Sequence, residues 1–220
     1  MHRGATVIST GQTQDSVTKA QQAMPSVLWF VLDLSDESHL KRFVGEIEHL
    51  NINLLINNAG VQQLRDFTGS DENLAFSTSL ETSINFVGPI ELTALMLPIL
   101  KNQKEPKVVF VTSGLALAPK RSSPVYCATK AALRSFAKSL RAQMKHSGWG
   151  ISVSEALPPL VDTDMTKGRG TRKITADSAA LQTLNGIEAD KDEIYIGASS
   201  LLRVIMRISP KLGEFIMVNR

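Results

Sequence analysis

The sequence predicts an α/β fold in which helices cover both faces of a doubly wound, mostly parallel β-sheet. Two observations support this prediction. Apolar runs of about five to seven residues recur along the chain, as buried parallel strands require, and segments with helical periodicity lie between them. A length of 220 residues suits one sizeable domain. Residues 1–220 are therefore predicted to form a single unit.

Six apolar runs are predicted to be strands, and a helical segment follows each of them. The strands occupy residues 5–10, 27–33, 52–57, 107–113, 150–156 and 193–197. The helices occupy residues 14–24, 38–50, 72–100, 124–146, 176–188 and 199–218. Each crossover between parallel strands is expected to be right-handed, which places the functional crevice at the carboxyl ends of the strands.

Polar and small residues follow three of the predicted strands. They are Asn57-Asn58-Ala59-Gly60 after the third, Thr112-Ser113-Gly114 at the fourth and Leu157-Pro158-Pro159 after the fifth. Because ligands of doubly wound sheets bind beyond the carboxyl ends of the strands, we expect these three segments to face one crevice.

The strongest chemical pattern is a tyrosine and a lysine at the start of a predicted helix. Tyr126 and Lys130 are four residues apart and so share a helix face, and Ser113 ends the preceding strand. An ammonium beside a phenol is expected to lower the pKa of Tyr126 toward neutral pH. The pair alone is more typical of an amphipathic helix. Together with Ser113 it is the set needed for hydride exchange between a carbonyl and a nicotinamide.

Several motifs in one order carry a resemblance to a known family. They are Asn57-Asn58-Ala59-Gly60, Asn85, Ser113 and Tyr126-x-x-x-Lys130. In this order and spacing, nearly all of residues 4–220 resembles the short-chain dehydrogenase/reductases. Residues 54–62, 88–94, 124–133 and 158–165 look like the DltE-type oxidoreductases within that family. The resemblance implies a Rossmann-like fold and an NAD(P)-dependent oxidoreductase that interconverts a carbonyl and an alcohol on a small organic substrate.

The resemblance implies roles for four catalytic residues. Tyr126 would be the general acid/base, Lys130 would lower its pKa and bind the nicotinamide ribose, and Ser113 would orient the substrate. Asn85 would interrupt its helix and hold a water in a proton relay. Readings without a function stay open, because Ser113 can simply end a strand and Asn85 can be a surface helix residue.

The resemblance also implies which residues contact the cofactor. Besides Tyr126 and Lys130, they are Asp33, Asn57, Ala59, Gly60, Pro158, Val161 and Thr163. Asp33 matches a position that contacts adenine, but it can equally cap the following helix. The turn Thr10-Gly11-Gln12-Thr13 has no acidic residue to hold a ribose hydroxyl, which favours NADP over NAD and leaves NAD possible.

The glycine-rich turn with which the family's cofactor-binding unit begins, Thr-Gly-x-x-x-Gly-x-Gly, does not occur in this sequence. Residues 4–8 instead resemble the start of the family's second strand, so the fold is expected to be N-terminally truncated by about one strand-helix unit. Cofactor binding is expected to be weakened, because that turn and its helix N-terminus hold the pyrophosphate. The strands at 5–10 and 52–57 would keep unpaired edges or pair in a new register.

This gap keeps a second function class open. The alternative to an oxidoreductase is a cofactor-free pseudoenzyme that acts as a binding or dimerising scaffold. The helices at 72–100 and 124–146 correspond to those that form a dimer interface in the family, so a homo-oligomer is expected. The basic residues Lys167, Arg169, Arg172 and Lys173 lie where relatives have a mobile substrate lid. They can attract an anionic substrate or a cofactor phosphate, or form a solvated loop.

Composition bears on whether nucleic acids, metals or membranes are partners of the chain. The chain has 24 Lys and Arg against 21 Asp and Glu, a net charge of +3, which does not indicate a nucleic-acid partner. Cys127 is the only cysteine, so no disulfide and no metal site are predicted, and it is expected to be a core side chain. No targeting segment is apparent, and the longest apolar candidate, residues 194–208, is interrupted by Arg203 and Arg207. We predict a cytoplasmic protein without a membrane span.

Overall fold

The computed structural model describes residues 3–69 and 72–219 and shows parallel strands that alternate with helices. The strands are β1 (Ile8–Gly11), β2 (Leu28–Val31), β3 (Leu54–Asn57), β4 (Lys107–Val111), β5 (Ser152–Leu157), β6 (Val161–Asp162), β7 (Ile174–Thr175) and β8 (Glu193–Tyr195). The helices are α1 (Gln14–Ala23), α2 (Glu37–Ile47), α3 (Leu74–Thr82), α4 (Gly88–Leu100), α5 (Pro124–Ser147), α6 (Ala176–Glu188), α7 (Ala198–Ile208) and α8 (Pro210–Val218). The predicted α/β class is confirmed.

The strands form two main parallel sheets. β1 pairs with β2 in a two-stranded sheet, and a second sheet has the order β3-β4-β5-β8. Across the described residues no strand lies between β1 and β3, so each has one edge without a ladder partner. The structure therefore shows unpaired edges at β1 and β3, and these two strands do not pair with each other in a new register. Ile56 of β3 is 40% exposed, unlike the fully buried β4 residues beside it.

Helices cover both faces of the larger sheet. Side chains alternate across a strand, and in β4 Val108 and Phe110 point into one hydrophobic cluster with α2, α4 and α5. Val109 points into a second cluster with Ile187 of α6 and Ile194 of β8. The doubly wound arrangement follows from this alternation, because each strand face needs its own apolar cover.

The β1–β2 unit packs against the rest of the described residues through helices. It does not pair with the larger sheet. Phe30 and Leu32 of this unit join the cluster of α2, α4 and β4, and α2 packs along α4. At the start of α4, Gly88 approaches the Leu34 carbonyl so closely that a Cβ at this position would clash with it. Only glycine allows this contact.

The helix predicted at 72–100 contains an irregular turn. α3 and α4 are continuous in direction, but Ser83–Val87 between them form a π-helical turn. Such a turn adds a residue to the helix and often marks a functional site. Asn85 lies within it.

Two other boundaries differ from the prediction. The helix expected at 199–218 is broken at Ser209, because Pro210 cannot donate to the preceding turn and instead starts α8, with Ser209 accepting from Leu212 N as its N-cap. The two-residue strands β6 and β7 were not predicted, since runs this short leave no periodic pattern. Elsewhere the predicted strands are up to three residues too long.

One helical segment, Leu74–Leu100, is long and apolar enough to cross a membrane by length and composition. It has 27 residues, and its most apolar window has a mean hydropathy of 1.5 and is 44% buried. A core helix passes the same test, and α3 packs against α5 while α4 packs against α2. This segment is not the one expected from the sequence, where residues 194–208 are the longest apolar candidate.

Candidate active site

The three segments that follow β3, β4 and β5 meet, as the sequence predicts. The Gly114 N–H donates to the Pro158 carbonyl over 2.9 Å, which joins the ends of β4 and β5. Lys130 Nζ donates to the carbonyl of Val111, the last residue of β4, over 2.9 Å. A Cβ built on Gly60 would lie 3.4 Å from Lys130 Nζ, which brings the segment after β3 to the same place.

The side chains of Ser113 and Tyr126 lie close together at this junction. Burial raises the pKa of Tyr126 to about 12, and the interaction with Ser113 opposes this shift only in part. The shift is opposite to the lowering expected from the sequence, because desolvation of the phenolate is its largest cause and the interaction with Ser113 is the only cause that lowers the pKa. The Ser113 Oγ also accepts from Leu115 N at 3.1 Å and so caps the short helical turn after β4, a structural role that the sequence left open.

Lys130 is a buried cation. Its side chain packs one helical turn from Tyr126, with Nζ 5.8 Å from the centre of the phenol ring, and the residue is 3% exposed. Burial lowers the pKa of Lys130 to about 8, because little water remains to solvate the ammonium. Among the described residues, no carboxylate forms an ion pair with Lys130.

Asn85 is fully buried, which excludes the surface reading of this residue. Its Oδ1 accepts from Val61 N, and its Nδ2 donates to Val61 O, both at 2.8 Å. A longer contact of 3.3 Å joins Nδ2 to Thr129 of α5. The π-helical turn thus ties the segment after β3 to the helix that carries Tyr126 and Lys130.

The predicted cofactor residues of the segment after β3 have different surroundings. Asn57 is buried, and its Nδ2 donates to Thr93 Oγ1 at 3.0 Å, so its side chain holds β3 against α4. Ala59 is exposed and Gly60 is half-buried. Of the three, Gly60 is the one for which the structure gives a position beside Lys130.

Asp33 does not cap α2. The N-cap of α2 is Asp36, which accepts from Ser38 N at 2.8 Å. Asp33 instead accepts from Ser35 N at 2.9 Å and from Gln12 Nε2 at 3.2 Å. Burial raises its pKa, but the hydrogen bonds from Ser35 and Gln12 bring the net pKa of Asp33 below its usual value. The ends of β1 and β2 are joined by this contact.

The remaining predicted residues lie in the loop after β5. Pro158 accepts from Gly114, as described above, and Val161 pairs with Ile174 of β7. Thr163 N donates to Thr166 Oγ1 at 3.2 Å, and that hydroxyl in turn donates to Val161 O. The loop is held by its own hydrogen bonds at the edge of the site.

Two buried charge clusters near the site were not predicted. Arg65 and Glu81 form an ion pair with side chains 2% and 0% exposed, and Arg65 also donates to Ser77 O at 2.6 Å. Behind Ser113, the Thr112 hydroxyl donates to the fully buried Glu155 at 2.5 Å, and Arg134 pairs with the same carboxylate. Isolated charges in a sequence give no signal of burial, because most of them are solvated.

Cys127 is 4% exposed, and burial raises the pKa of its thiol. The sulfur accepts from Lys120 N at 3.2 Å. These observations agree with the predicted core side chain. The part of the chain that the structure describes contains no group of three or more His, Cys, Asp or Glu side chains placed to hold a metal.

Comparison with known proteins finds one family. The family model described as short chain dehydrogenase matches residues 1–173. An uncharacterised oxidoreductase, DltE of Bacillus subtilis strain 168, is 37% identical over 199 residues, which cover 87% of this chain and 78% of the relative. The 11-beta-hydroxysteroid dehydrogenase-like protein 2 of Arabidopsis thaliana is 35% identical over 217 residues, which cover 91% of this chain and 67% of that protein.

Solved structures agree on the fold. A short chain dehydrogenase from Burkholderia cenocepacia J2315 in complex with NADP superposes with a TM-score of 0.85 at 23% identity, over 98% of this chain and 88% of that one. A short chain dehydrogenase/reductase from Burkholderia phymatum in complex with NAD gives a TM-score of 0.79 at 19% identity, over 92% and 84%. The α/β architecture described above is thus shared with these proteins.

Proposed function

Because the chain belongs to the short-chain dehydrogenase family, we propose that it is an NAD(P)-dependent oxidoreductase that interconverts a carbonyl and an alcohol on a small organic substrate. One observation carries this proposal. The Tyr126 phenol lies next to the Ser113 hydroxyl, and the buried ammonium of Lys130 is 5.8 Å from the centre of its ring, at the carboxyl ends of β3, β4 and β5. These are the groups that proton exchange at a carbonyl oxygen requires.

The residues present fit the nicotinamide half of such a cofactor. Lys130 uses one N–H on Val111 O and has further donors for ribose hydroxyls. A Cβ at Gly60 would stand 3.0 Å from Asn85 Oδ1 and 3.4 Å from Lys130 Nζ, so only glycine leaves that space open. Pro158, Val161 and Thr163 would lie beside the carboxamide.

The chemistry divides between this cofactor and the side chains. A bound nicotinamide would supply the hydride for reduction or accept it in the reverse direction. Tyr126 would give its Oη proton to the carbonyl oxygen, and a pKa of about 12 keeps that proton in place at neutral pH. Ser113 would donate to the same oxygen and orient the substrate. Asn85 would hold the segment after β3 and a water of the proton relay.

The adenosine half has weaker support. Gly11, the last residue of β1, does not form an open turn, because a Cβ there would lie 2.5 Å from Ser16 Oγ and 3.0 Å from Val17 Cγ2 of α1. Asp33 would contact adenine, and the turn Thr10-Gly11-Gln12-Thr13 itself contributes no acidic residue for a ribose hydroxyl, although Gln12 is hydrogen-bonded to Asp33. We therefore propose NADP as the preferred cofactor, with NAD possible and with weakened binding of either.

The first test is a substitution at Tyr126. Tyr126→Phe removes the proton donor but keeps the ring, so reduction of a carbonyl substrate should fall by at least about a thousandfold while NADPH affinity stays within about threefold. Activity would be followed by NADPH absorbance and affinity by fluorescence titration. Turnover retained by Tyr126→Phe would show that the assigned role is wrong.

The same titration decides between the two function classes. The alternative, a cofactor-free scaffold, is favoured by the split sheet, since within the described residues no strand that could carry a dinucleotide-binding turn lies between β1 and β3. No binding of NADPH by the wild-type chain, even at millimolar concentration, would support the scaffold. Homo-oligomer formation, to be measured by sedimentation velocity, is predicted under both functions.

A further inference from the structure

We propose that Arg169 is the substrate-binding cation of this site and that it selects carbonyl substrates bearing a carboxylate. This inference rests on the proposed oxidoreductase function and names its substrate class. The sequence left open whether the basic segment around Arg169 attracts an anion or is a solvated loop. The structure separates Arg169 from its basic neighbours.

The backbone directs Arg169 inward. Its two neighbours, Gly168 and Gly170, have φ angles of +75° and +59°, a conformation that glycine adopts without strain. The Arg169 N–H donates to Thr166 O at 3.0 Å. A Cβ on Gly170 would stand 2.5 Å from Leu160 Cδ2, so the loop packs tightly on the segment after β5. Arg169 is half-buried as a result, whereas Lys167 and Arg172 are exposed.

A chain of hydrogen bonds connects Arg169 to the start of α5, the helix that carries Tyr126 and Lys130. Arg169 Nη1 donates to Gln62 Oε1 at 2.9 Å, and Gln62 Nε2 donates to Ser123 Oγ at 3.1 Å. Ser123 is fully buried and is the residue before α5, on which Tyr126 lies in the first turn. Gln62 follows Gly60 and Val61, which contact Lys130 and Asn85. The guanidinium therefore lies on the substrate side of the site, away from Gln12 and Asp33.

The charges around Arg169 are unbalanced. Lys173, in the same loop, pairs with Asp162 at 3.0 Å, and Arg65 pairs with Glu81. Within residues 3–69 and 72–219, Arg169 has no carboxylate partner and contacts a neutral amide instead. Lys130 adds a second cation that no carboxylate neutralises. An anion entering this crevice would be favoured by both.

The geometry of a guanidinium suits a carboxylate. Arginine offers several N–H donors in a planar fork that can bind both carboxylate oxygens at once. The Gln62 amide oxygen satisfies one donor and can be displaced by a charged acceptor, which binds more strongly. A substrate with a carboxylate near its carbonyl, such as an oxo acid, would thus place its charge on Arg169 and its carbonyl toward Tyr126.

The test compares oxo acids of increasing chain length with their methyl esters. Binding would be measured by calorimetry with and without NADP, and turnover by NADPH absorbance. At least one acid should bind at least about tenfold more tightly than its ester. Arg169→Met should remove this preference, and Arg169→Lys should restore part of it. Arg172→Met, an exposed change in the same loop, should leave it unchanged.

Several outcomes would overturn the inference. No acid preferred over its ester, or a preference unchanged in Arg169→Met, would exclude a carboxylate site. Inorganic phosphate competing as well as the acids would indicate a general anion site, and a loss of NADPH affinity in Arg169→Met would assign the arginine to the cofactor. If esters are turned over and no acid is preferred, the proposed oxidoreductase function is supported and the carboxylate site is contradicted. If acids bind through Arg169 but are not turned over, the proposed reaction is contradicted and the carboxylate site is supported.

Discussion

Lys130 illustrates how a buried charge links the site to stability. Its pKa of about 8 in the folded chain compares with 10.5 for a solvated lysine. Below pH 8 both states are protonated, and the folded state carries the whole desolvation penalty. Between pH 8 and 10.5 the unfolded state binds more protons, so stability rises with pH.

Replacing Lys130 with methionine should therefore stabilise the chain at neutral pH. The lowering of the Lys130 pKa corresponds to about 3 kcal/mol in the free energy of unfolding. This is an upper value for the gain, because the variant also loses the hydrogen bond to Val111. Urea unfolding at neutral pH and at about pH 10 measures the effect, which should shrink at the higher pH. Lys145→Met, on an exposed part of the same helix, serves as the control. A variant less stable than the wild type at neutral pH would contradict the buried-charge account.

At the residue scale, the sequence predicted which side chains meet but not their environments. The order of Ser113, Tyr126 and Lys130 along the chain, with Asn85 before them, was enough to expect one site. Their pKa values were not predictable, because burial depends on packing between distant elements. The contact between Gln62 and Arg169 was also out of reach, since it joins two loops far apart in the chain.

At the element scale, the Arg65–Glu81 pair anchors α3. Glu81 also accepts from Gln63 N, so the carboxylate joins α3 to the segment after β3. Burial raises the pKa of Glu81, and the charge of Arg65 opposes this shift. Removing one partner of a buried pair leaves an uncompensated charge, which is far more costly than losing an exposed pair.

We expect Glu81→Gln to lower the free energy of unfolding by about 3 kcal/mol. The matched control is Glu37→Gln on α2, which breaks an exposed pair with Lys41 and should change stability by less than about 1 kcal/mol. Both would be measured by urea unfolding at neutral pH. Equal effects of the two changes would mean that the buried pair has no special role in holding α3.

Element types were more predictable than their irregularities. Alternating apolar runs and helical segments gave the main strands and helices with small errors at their ends. The π-helical turn at Asn85 was foreseen only as an interruption of the helix, because its extra residue depends on Asn85 bonding to Val61. The break between α7 and α8 had a sequence signal in Ser209 and Pro210 that the apolar pattern on both sides concealed.

At the scale of the whole molecule, the β1–β2 unit is held to the rest of the described residues by side-chain packing and, just before β1, by contacts of Arg3 with Asn185 and Glu188 of α6. In a parallel strand, alternate amides point to opposite edges, so some amides of β1 face the edge that lacks a partner. β4 is paired on both edges and fully buried at its centre. Protection from solvent should therefore differ between the two strands.

Hydrogen–deuterium exchange measured on peptides should show this difference. We expect peptides covering β1 to take up deuterium at least about tenfold faster than peptides covering β4. α2, which packs on α4, is an internal reference of intermediate protection. Uptake in β1 as slow as in β4 would show that its free edge is covered in solution, and would remove the argument for a loosely attached unit.

The buried thiol of Cys127 has a practical consequence for studying the β1–β2 unit. Since the sequence has one cysteine, and that cysteine is covered and stays protonated, maleimide dyes should leave the native chain unmodified. A cysteine introduced in place of the exposed Met24, just before β2, would then carry a fluorophore alone. Its emission would report movement of one part of the domain against the other without any background labelling to subtract.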